Sequence, residues 1–85
     1  MNELLDVVRV EPNENFFLKL EFENGEVRVF DMNPLLMKKP FNSLQEKKIF
    51  ECATVNHGTV VWPGDIDIAP ETLYDFSRPL KPSEE

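Results

Sequence analysis

Residues 60–74 read Val60-Val61-Trp62-Pro63-Gly64-Asp65-Ile66-Asp67-Ile68-Ala69-Pro70-Glu71-Thr72-Leu73-Tyr74 and contain the only Trp and the only Tyr of the chain. This stretch predicts an apolar strand, a turn at Pro63-Gly64, a second strand in which Ile and Asp alternate, and a short helix that Pro70 opens. Proline is favoured at the first helical position because its missing N–H has no intrahelical partner there. We expect Trp62 to be buried, with Leu73 and Tyr74 folded back onto it.

The composition indicates one small globular domain in a reducing compartment. Of 85 residues, 41% are hydrophobic and 29% are charged, which suffices for one packed core and a soluble surface. No run approaches the roughly 20 apolar residues of a membrane span, and the N-terminus lacks a basic region followed by an apolar run, which argues against export. The single cysteine cannot form an internal disulfide. We therefore expect a cytoplasmic protein in which residues 1–76 form one α+β domain and residues 77–85 form a flexible C-terminal tail.

The formal net charge of −7 restricts the classes of partner. A duplex-binding protein needs Lys and Arg to release counterions from phosphates, so this charge argues against direct contact with nucleic acid. The same field would attract a basic protein partner and speed its encounter. The alternative is that the charge only keeps a small protein soluble. No membrane contact is predicted, and the oligomeric state stays open between a monomer and a weak homodimer.

The N-terminal half predicts strands joined by tight turns. Residues 5–11 are rich in β-branched side chains and end at a turn cluster, and residues 16–22 are apolar at every second position, the period of a half-buried strand. Asn24-Gly25 then favours a two-residue type I′ turn, which needs positive φ at both positions. The register that follows pairs Phe22 with Val27, Leu20 with Val29, and Glu21 with Arg28. Apolar side chains would thus meet on one face and opposite charges on the other.

The second half predicts one helix and a second hairpin. Ser43-Leu44-Gln45-Glu46 matches a capping box, in which Ser43 accepts from an early helical N–H and Glu46 reaches back, so we expect a helix to begin there. A turn at Asn56-His57-Gly58 joins two further strands. The predicted fold class is α+β: an antiparallel sheet of about five strands, with the Ser43 helix on one face and a C-terminal helical turn, opened by Pro70, at one edge.

The order of these motifs resembles the small bacterial "domain of unknown function 2442" family. The likeness extends over nearly the whole chain up to Tyr74, and its most specific part is Trp62-Pro63 followed by Asp67-Ile68-Ala69-Pro70-Glu71-Thr72-Leu73-Tyr74. The resemblance implies an α+β fold, a bacterial cytoplasmic setting and no established activity. It also implies that the chain is similar to proteins that act as partners of small toxin-like proteins, which are encoded beside those partners. Some members carry a helix-turn-helix DNA-binding domain after this module, and we expect none here because the sequence stops at Glu85.

Few side chains in the predicted turns carry the groups needed for catalysis or metal binding. Asp65 and Asp67 flank an Ile, so in an extended segment their carboxylates would point the same way and could share a cation, but a hard metal prefers six or more oxygens. We favour a role for both as caps of the turn and of the following helix. His57 is expected to be exposed in its turn. Cys52 is expected to be a small buried hydrophobic residue rather than a nucleophile, since nothing that flanks it is basic.

Three hypotheses of function follow from the sequence. The favoured one is a non-catalytic protein-binding module, an antitoxin-like or regulatory partner of a small basic protein, which binds through Trp62, Asp65, Asp67 and Glu71. The alternative is a domain that binds a small molecule or a divalent metal at the turn from Trp62 to Asp67. The third is an enzyme, for which the sequence offers no set of nucleophile, base and oxyanion donors. We therefore predict no catalytic residue, no metal ligand and no cofactor.

Overall fold

Two antiparallel sheets form the framework of the computed structural model, which describes residues 5–80. The strands are β1 (Val7–Pro12), β2 (Phe17–Phe22), β3 (Val27–Asp31), β4 (Thr54–Asn56), β5 (Thr59–Trp62), β6 (Ile66–Ile68) and β7 (Arg78–Pro79). The helices are α1 (Lys47–Phe50) and α2 (Pro70–Asp75), with 3₁₀ turns at Asn33–Leu35 and Phe41–Gln45. The larger sheet has the order β1-β2-β3-β7 and the smaller one the order β4-β5-β6.

The α+β class is confirmed, but the strands among residues 5–80 number seven in two sheets rather than about five in one. The difference arises because the second hairpin pairs with β6 instead of joining the N-terminal strands. It also arises because β7 is a two-residue strand that no period-2 pattern can reveal. None of the helices among residues 5–80 has the length and hydrophobicity needed to cross a membrane.

The loop between β2 and β3 is one residue longer than predicted. Gly25 has a φ of 89°, but Asn24 does not share a positive φ, so the turn is not type I′. Instead the Gly25 N–H donates to the Phe22 carbonyl and the Phe22 N–H donates to the Glu26 carbonyl, both at 2.9 Å. The loop therefore has three residues, a type I turn followed by Gly25 in the left-handed bulge position. The Asn24 side chain favours this form, since its Oδ1 accepts from the Glu26 N–H at 3.0 Å.

Because the loop is longer, each side chain of β3 lies on the opposite face of the sheet from the one predicted. The observed pairs are Glu21 with Val27, Leu20 with Arg28, Lys19 with Val29 and Leu18 with Phe30, so the predicted register is wrong. A shift of one residue moves every side chain of a strand to the opposite face. Phe30 becomes the residue of β3 that joins the core, and Arg28 lies on the same face. Burial of a Phe in place of a Val removes more apolar surface from water, which favours this register.

The predicted capping box at Ser43 does not form. Ser43 lies inside the 3₁₀ turn Phe41–Gln45, where its Oγ donates to the Pro40 carbonyl at 3.4 Å, and α1 begins at Lys47 without a side-chain cap. The extended backbone of Glu46, with a ψ of 113°, separates the two turns. This break lets Leu44 and Phe50 both face the core, although six residues of a continuous helix would turn them about 120° apart.

The core between the two sheets is built around the aromatic residues. Trp62 is 3% exposed, its ring stacks on Phe50 with centroids 6.2 Å apart, and its Nε1 donates to the Phe50 carbonyl at 3.1 Å. Leu73 is fully buried in the same cluster. The predicted burial of Trp62 is thus confirmed. Tyr74 is half-buried, and its ring packs edge-on against Phe22 at 5.1 Å.

The larger sheet continues past the predicted domain boundary at Phe76. The strand β7 pairs with β3, and the Leu80 N–H donates to the Val27 carbonyl at 3.0 Å, so the first part of the segment predicted as a tail adds a strand to the sheet. Residues 81–85 and residues 1–4 lie outside the described residues. The flexibility of the tail stays a prediction.

Both outer strands of the larger sheet end in proline. The Asn13 N–H donates to the Phe17 carbonyl at 2.9 Å, and Leu80 donates to β3 as described. Because bonded and non-bonded positions alternate along an antiparallel pair, the nitrogens of Pro12 and Pro79 face away from the sheet. At such edge positions the missing N–H removes no ladder hydrogen bond. Between Val7 and Arg9 the pairing of β1 is also interrupted by a bulge.

Candidate functional site

The second half of the chain contains a long segment whose charged side chains are all acidic. Residues 49–77 contain no Lys or Arg, and all their carboxylates are exposed: Glu51, Asp65, Asp67, Glu71 and Asp75. Asp65, Asp67, Glu71 and Asp75 follow one another along the β5–β6 turn, β6 and α2, and we refer to these four residues as the acidic surface. A surface of this composition favours a cationic partner over an anionic one.

The β5–β6 turn and β6 hold the first two carboxylates in solvent. Ile66 and Ile68 are buried, as the alternation predicts, so Asp67 points to the opposite face of the strand. Asp65 precedes the strand and has a φ of 61°, after Gly64 at 92°. The two carboxylates therefore do not occupy equivalent positions of one extended segment, as the shared-cation hypothesis assumed.

The predicted capping role of these aspartates is wrong. Within residues 5–80, neither the Asp65 nor the Asp67 carboxylate accepts a hydrogen bond, and Ala69 stands at the N-cap of α2 without any side-chain cap. The helix begins at Pro70, as predicted, which needs no cap for its own nitrogen. No group of three or more His, Cys, Asp or Glu side chains in the described part of the chain is arranged to hold a metal ion.

The helix α2 extends the acidic surface beyond the predicted residues. Glu71 and Asp75 stand at positions i and i+4, so they share a face of the helix and repel each other, which destabilises a helix by about 0.2–0.5 kcal/mol. Leu73 lies between them in sequence and is buried, which anchors the opposite face. Phe76 follows directly at the C-cap and is 76% exposed. Sequence reasoning missed Asp75 and Phe76, although the i, i+4 spacing of the two acids was visible in it.

Trp62 differs from the other predicted binding residues because it is buried. Its ring and its Nε1 are both used in the core, as described, so it presents no surface to a partner. The predicted residues that reach solvent are Asp65, Asp67 and Glu71. Trp62 instead helps to position the turn that carries Asp65, because it pairs with Ile66 across that turn.

Cys52 and His57, the two side chains considered as a nucleophile and a base, are both exposed. Cys52 is exposed, which corrects the prediction of burial, and its thiol donates to the Lys48 carbonyl at 3.2 Å. The short helix α1 ends before it, and Ala53 enters the core instead. His57 is exposed, as predicted, in a two-residue turn with Gly58. Their φ values of 54° and 78° give this hairpin the type I′ turn that was expected at Asn24-Gly25.

A polar network joins β3 to α2 and to Ser77, which precedes β7, and no local sequence pattern indicated it. The Arg28 guanidinium lies 4.5 Å from the centroid of the Tyr74 ring, its Nε donates to Ser77 Oγ at 2.7 Å, and an Nη atom donates to the Ser77 carbonyl at 2.8 Å. The other Nη atom donates to Glu26 Oε1 at 3.1 Å. These contacts depend on the observed register, because the predicted one would direct Arg28 away from α2.

The same network shifts the titration of its acidic members. The Tyr74 hydroxyl and the Asn24 amide both donate to Glu26 Oε2 at 2.6 Å. The hydrogen bond from Tyr74, followed by the one from Asn24, lowers the pKa of Glu26 below its ordinary value. In return the hydrogen bond to Glu26, with a contribution from burial, raises the pKa of Tyr74. The hydrogen bond from the Tyr74 hydroxyl links α2 to Glu26, which directly precedes β3.

Comparison with known proteins yields one family. A family model described as "Protein of unknown function (DUF2442)" matches residues 7–79, which is nearly all of the chain that the structure describes. No curated protein matches the sequence. No solved structure matches it.

Proposed function

The chain belongs to the DUF2442 family of proteins of unknown function, and from this premise we propose that it is a non-catalytic protein-binding module whose acidic surface binds a small basic protein. In this role the chain acts in the bacterial cytoplasm as an antitoxin-like or regulatory partner. It contacts neither nucleic acid nor membrane itself.

The observation that carries the proposal is the distribution of charge over the fold. Every carboxylate of residues 49–77 is exposed, and no Lys or Arg of the same stretch neutralises them. Glu71 and Asp75 remain at a repulsive i, i+4 spacing that a cationic partner would relieve. A surface that is only required to be soluble gains nothing from such a pair, since charges of mixed sign serve solubility equally well.

Phe76 supplies the apolar contact that the acidic side chains cannot provide. Exposed charge pairs contribute little to affinity, whereas aromatic residues ringed by polar groups dominate many protein interfaces. Phe76 is 76% exposed directly after the two acids of α2. In this proposal the basic partner covers Phe76 with an apolar patch, and its Lys or Arg side chains meet Glu71 and Asp75.

The test starts by identifying the partner. A tagged copy is recovered from its native cells, the co-purified proteins are identified, and binding is measured at increasing ionic strength. We expect a basic partner whose association slows steeply with salt while its dissociation changes less, since long-range attraction is screened. A salt-independent association rate, or the absence of a partner, would contradict the proposal.

Variants separate the two parts of the surface. Glu71→Gln with Asp75→Asn should slow association, whereas Phe76→Ala should speed dissociation, because rim charges act on encounter and buried anchors act on residence time. Glu14→Gln is the matched control, as it removes an exposed carboxylate from the β1–β2 turn, far from α2 in sequence.

The metal-binding alternative predicts a different result. Ca²⁺ or Mg²⁺ would then raise the thermal midpoint of the isolated protein through linkage, and Asp65→Asn with Asp67→Asn would abolish the rise. We expect no such shift.

A further inference from the structure

The loop between β2 and β3 contains two neighbouring residues that can react with each other in water. Asn24 is followed by Gly25, and no other asparagine of the chain precedes a glycine. In such a pair the backbone nitrogen of the glycine can attack the side-chain amide carbon of the asparagine, because glycine has no side chain to hinder the approach. Both residues are exposed, and nothing lies within 4 Å of where a Cβ of Gly25 would stand. Solvent therefore reaches the reacting atoms.

The reaction, a deamidation, consumes water and releases ammonia. The Gly25 nitrogen loses its proton to hydroxide and forms a bond to Asn24 Cγ, while the bond between Cγ and Nδ2 breaks and the amide nitrogen leaves as ammonia with a proton from water. Water then opens the cyclic imide at either of its carbonyls. The product is an aspartate at this position, or an isoaspartate whose backbone runs through the former side chain.

The folded conformation of the loop opposes closure of the imide ring. The ring contains Cα, Cβ and Cγ of Asn24 and the Gly25 nitrogen, so Cβ and that nitrogen must come to the same side of the bond between Cα and the backbone carbonyl carbon. Asn24 is the third residue of a type I turn, where ψ is about 0° and Cβ is rotated about a third of a turn away from the nitrogen. The loop must therefore open before the ring can form.

Hydrogen bonds keep the loop in this closed form. The Gly25 N–H donates to the Phe22 carbonyl at 2.9 Å, and the attack requires that nitrogen to lose its proton. Glu26 holds the Asn24 side chain at both ends, since its N–H donates to Oδ1 at 3.0 Å and its Oε2 accepts from Nδ2 at 2.6 Å. The contact with Nδ2 depends on the Glu26 carboxylate, so a side-chain substitution can remove it and leave the other two.

We propose that Asn24 is a site of spontaneous deamidation and that the Glu26 carboxylate restrains the reaction in the folded chain. The reaction is irreversible and alters the polar network. An ionised aspartate only accepts hydrogen bonds, so the loop loses its donor to Glu26 Oε2 and gains a second carboxylate beside it. An isoaspartate also lengthens the backbone of the loop whose length sets the register of β3.

The test follows the conversion of Asn24 by peptide mapping of the full chain, which is kept at physiological temperature and pH either folded or in urea. We expect the folded chain to react at Asn24 at least about tenfold more slowly than the unfolded chain, since the loop must open first. Asn42, which is exposed and precedes Ser43, is the internal reference for incubation time. Equal rates in the two states would overturn the role of the fold, and no reaction at Asn24 in urea would overturn the site.

Three variants isolate the role of the Glu26 carboxylate. Glu26→Ala should accelerate deamidation of the folded chain about threefold to tenfold, the factor expected for the loss of one hydrogen bond. Glu23→Ala removes the same charge from the same loop, but the Glu23 carboxylate accepts from the Asp6 N–H, so this variant should react at the parent rate.

Tyr74→Phe controls for global stability, because it removes the other donor to Glu26 Oε2 and keeps both contacts of Glu26 with Asn24. It should also react at close to the parent rate. Equal acceleration by Tyr74→Phe and Glu26→Ala would show that the reaction follows global unfolding, and equal acceleration by Glu23→Ala would show that only the charge of the loop matters. Either result would refute the role of Glu26.

Discussion

Two glycines with left-handed backbones have very different surroundings. Gly25 has a φ of 89° with no atom within 4 Å of where a Cβ would stand, whereas a Cβ on Gly58 would lie 2.5 Å from the Asp6 carboxyl carbon. The Asp6 backbone is held by Glu23, since its N–H donates to the Glu23 carboxylate and its carbonyl accepts from the Glu23 N–H, so relief of this contact requires rotation of the Asp6 side chain. We expect Gly25→Ala to lower the free energy of unfolding by about 1 kcal/mol, from the backbone alone.

Gly58→Ala should be the more damaging of the two, because it adds the displacement of Asp6 to the same backbone strain. Chemical denaturation of both variants measures the difference directly. Equal losses would show that Asp6 rotates away without consequence for stability.

The hydroxyl of Tyr74 makes stability depend on pH through Glu26. Because the folded-state pKa of Glu26 is lowered, its contribution is present above the ordinary pKa of an unfolded Glu and is lost as pH falls through the lowered value. Tyr74→Phe keeps the ring against Phe22 but removes the donor. We expect the variant to be less stable than the parent at pH 7 and the difference to shrink as the pH falls toward 3.

Denaturant midpoints of the two proteins over this range check the expectation, and a difference that stays constant with pH would contradict it. At the alkaline end the raised pKa of Tyr74 has the opposite sign of effect: its contribution is present below the ordinary tyrosine pKa and is lost as pH rises through the raised value.

The sequence predicted the positions of the strands and turns better than it predicted which strands pair and in what register. Alternation placed Leu18, Leu20 and Phe22 on the buried face of β2, because period 2 is a property of each strand alone. The register of β3 depended on whether the loop has two or three residues, and Asn24-Gly25 fits both. That choice follows from core contacts of Phe30, which lie far away in sequence. The Arg28 network was therefore out of reach of local patterns.

The same reasoning applies to the helices and the candidate site. Pro70 marks the start of α2 without ambiguity, whereas the Ser43 capping box competes with the need to bury both Leu44 and Phe50. Asp65, Asp67 and Glu71 were proposed as binding residues from the net charge, from the carboxylates around the Trp62-Pro63-Gly64 turn and from the family resemblance, and their role stays a prediction. Asp75 and Phe76 were not among the predicted residues, because their exposure depends on where α2 ends and on what it leaves uncovered.

The helix α2 should gain stability from the loss of a charge. Asp75 repels Glu71 and stands in the last turn, where the helix dipole also disfavours an anion. We therefore expect Asp75→Asn to raise the free energy of unfolding by about 0.3–1 kcal/mol. Thermal and chemical unfolding measure the gain, with Glu14→Gln as a control for net charge. A loss of stability would show that Asp75 serves the fold and not the surface.

In the molecule as a whole, Trp62 joins β5 of the smaller sheet to α1, because its ring stacks on Phe50 and its Nε1 donates to the Phe50 carbonyl. Truncation of a buried Trp to Ala typically costs about 3–5 kcal/mol, much of what a domain of this size has available. We expect Trp62→Ala to be largely unfolded and Trp62→Phe, which keeps most of the ring volume, to stay folded with reduced stability. Amide spectra distinguish the two. A dispersed spectrum for Trp62→Ala would mean that the core does not depend on this residue.

The prolines in the two outer strands of the larger sheet affect how the protein behaves at high concentration. A strand edge with a continuous row of free N–H and carbonyl groups is a template on which another chain can polymerise into cross-β fibrils. Here one edge combines a bulge with Pro12, and the other is a two-residue strand that ends in Pro79. Each edge therefore lacks a backbone N–H at its proline, where an added strand would need a donor, and we expect the sheet to resist amyloid growth at concentrations where exposed strand edges aggregate.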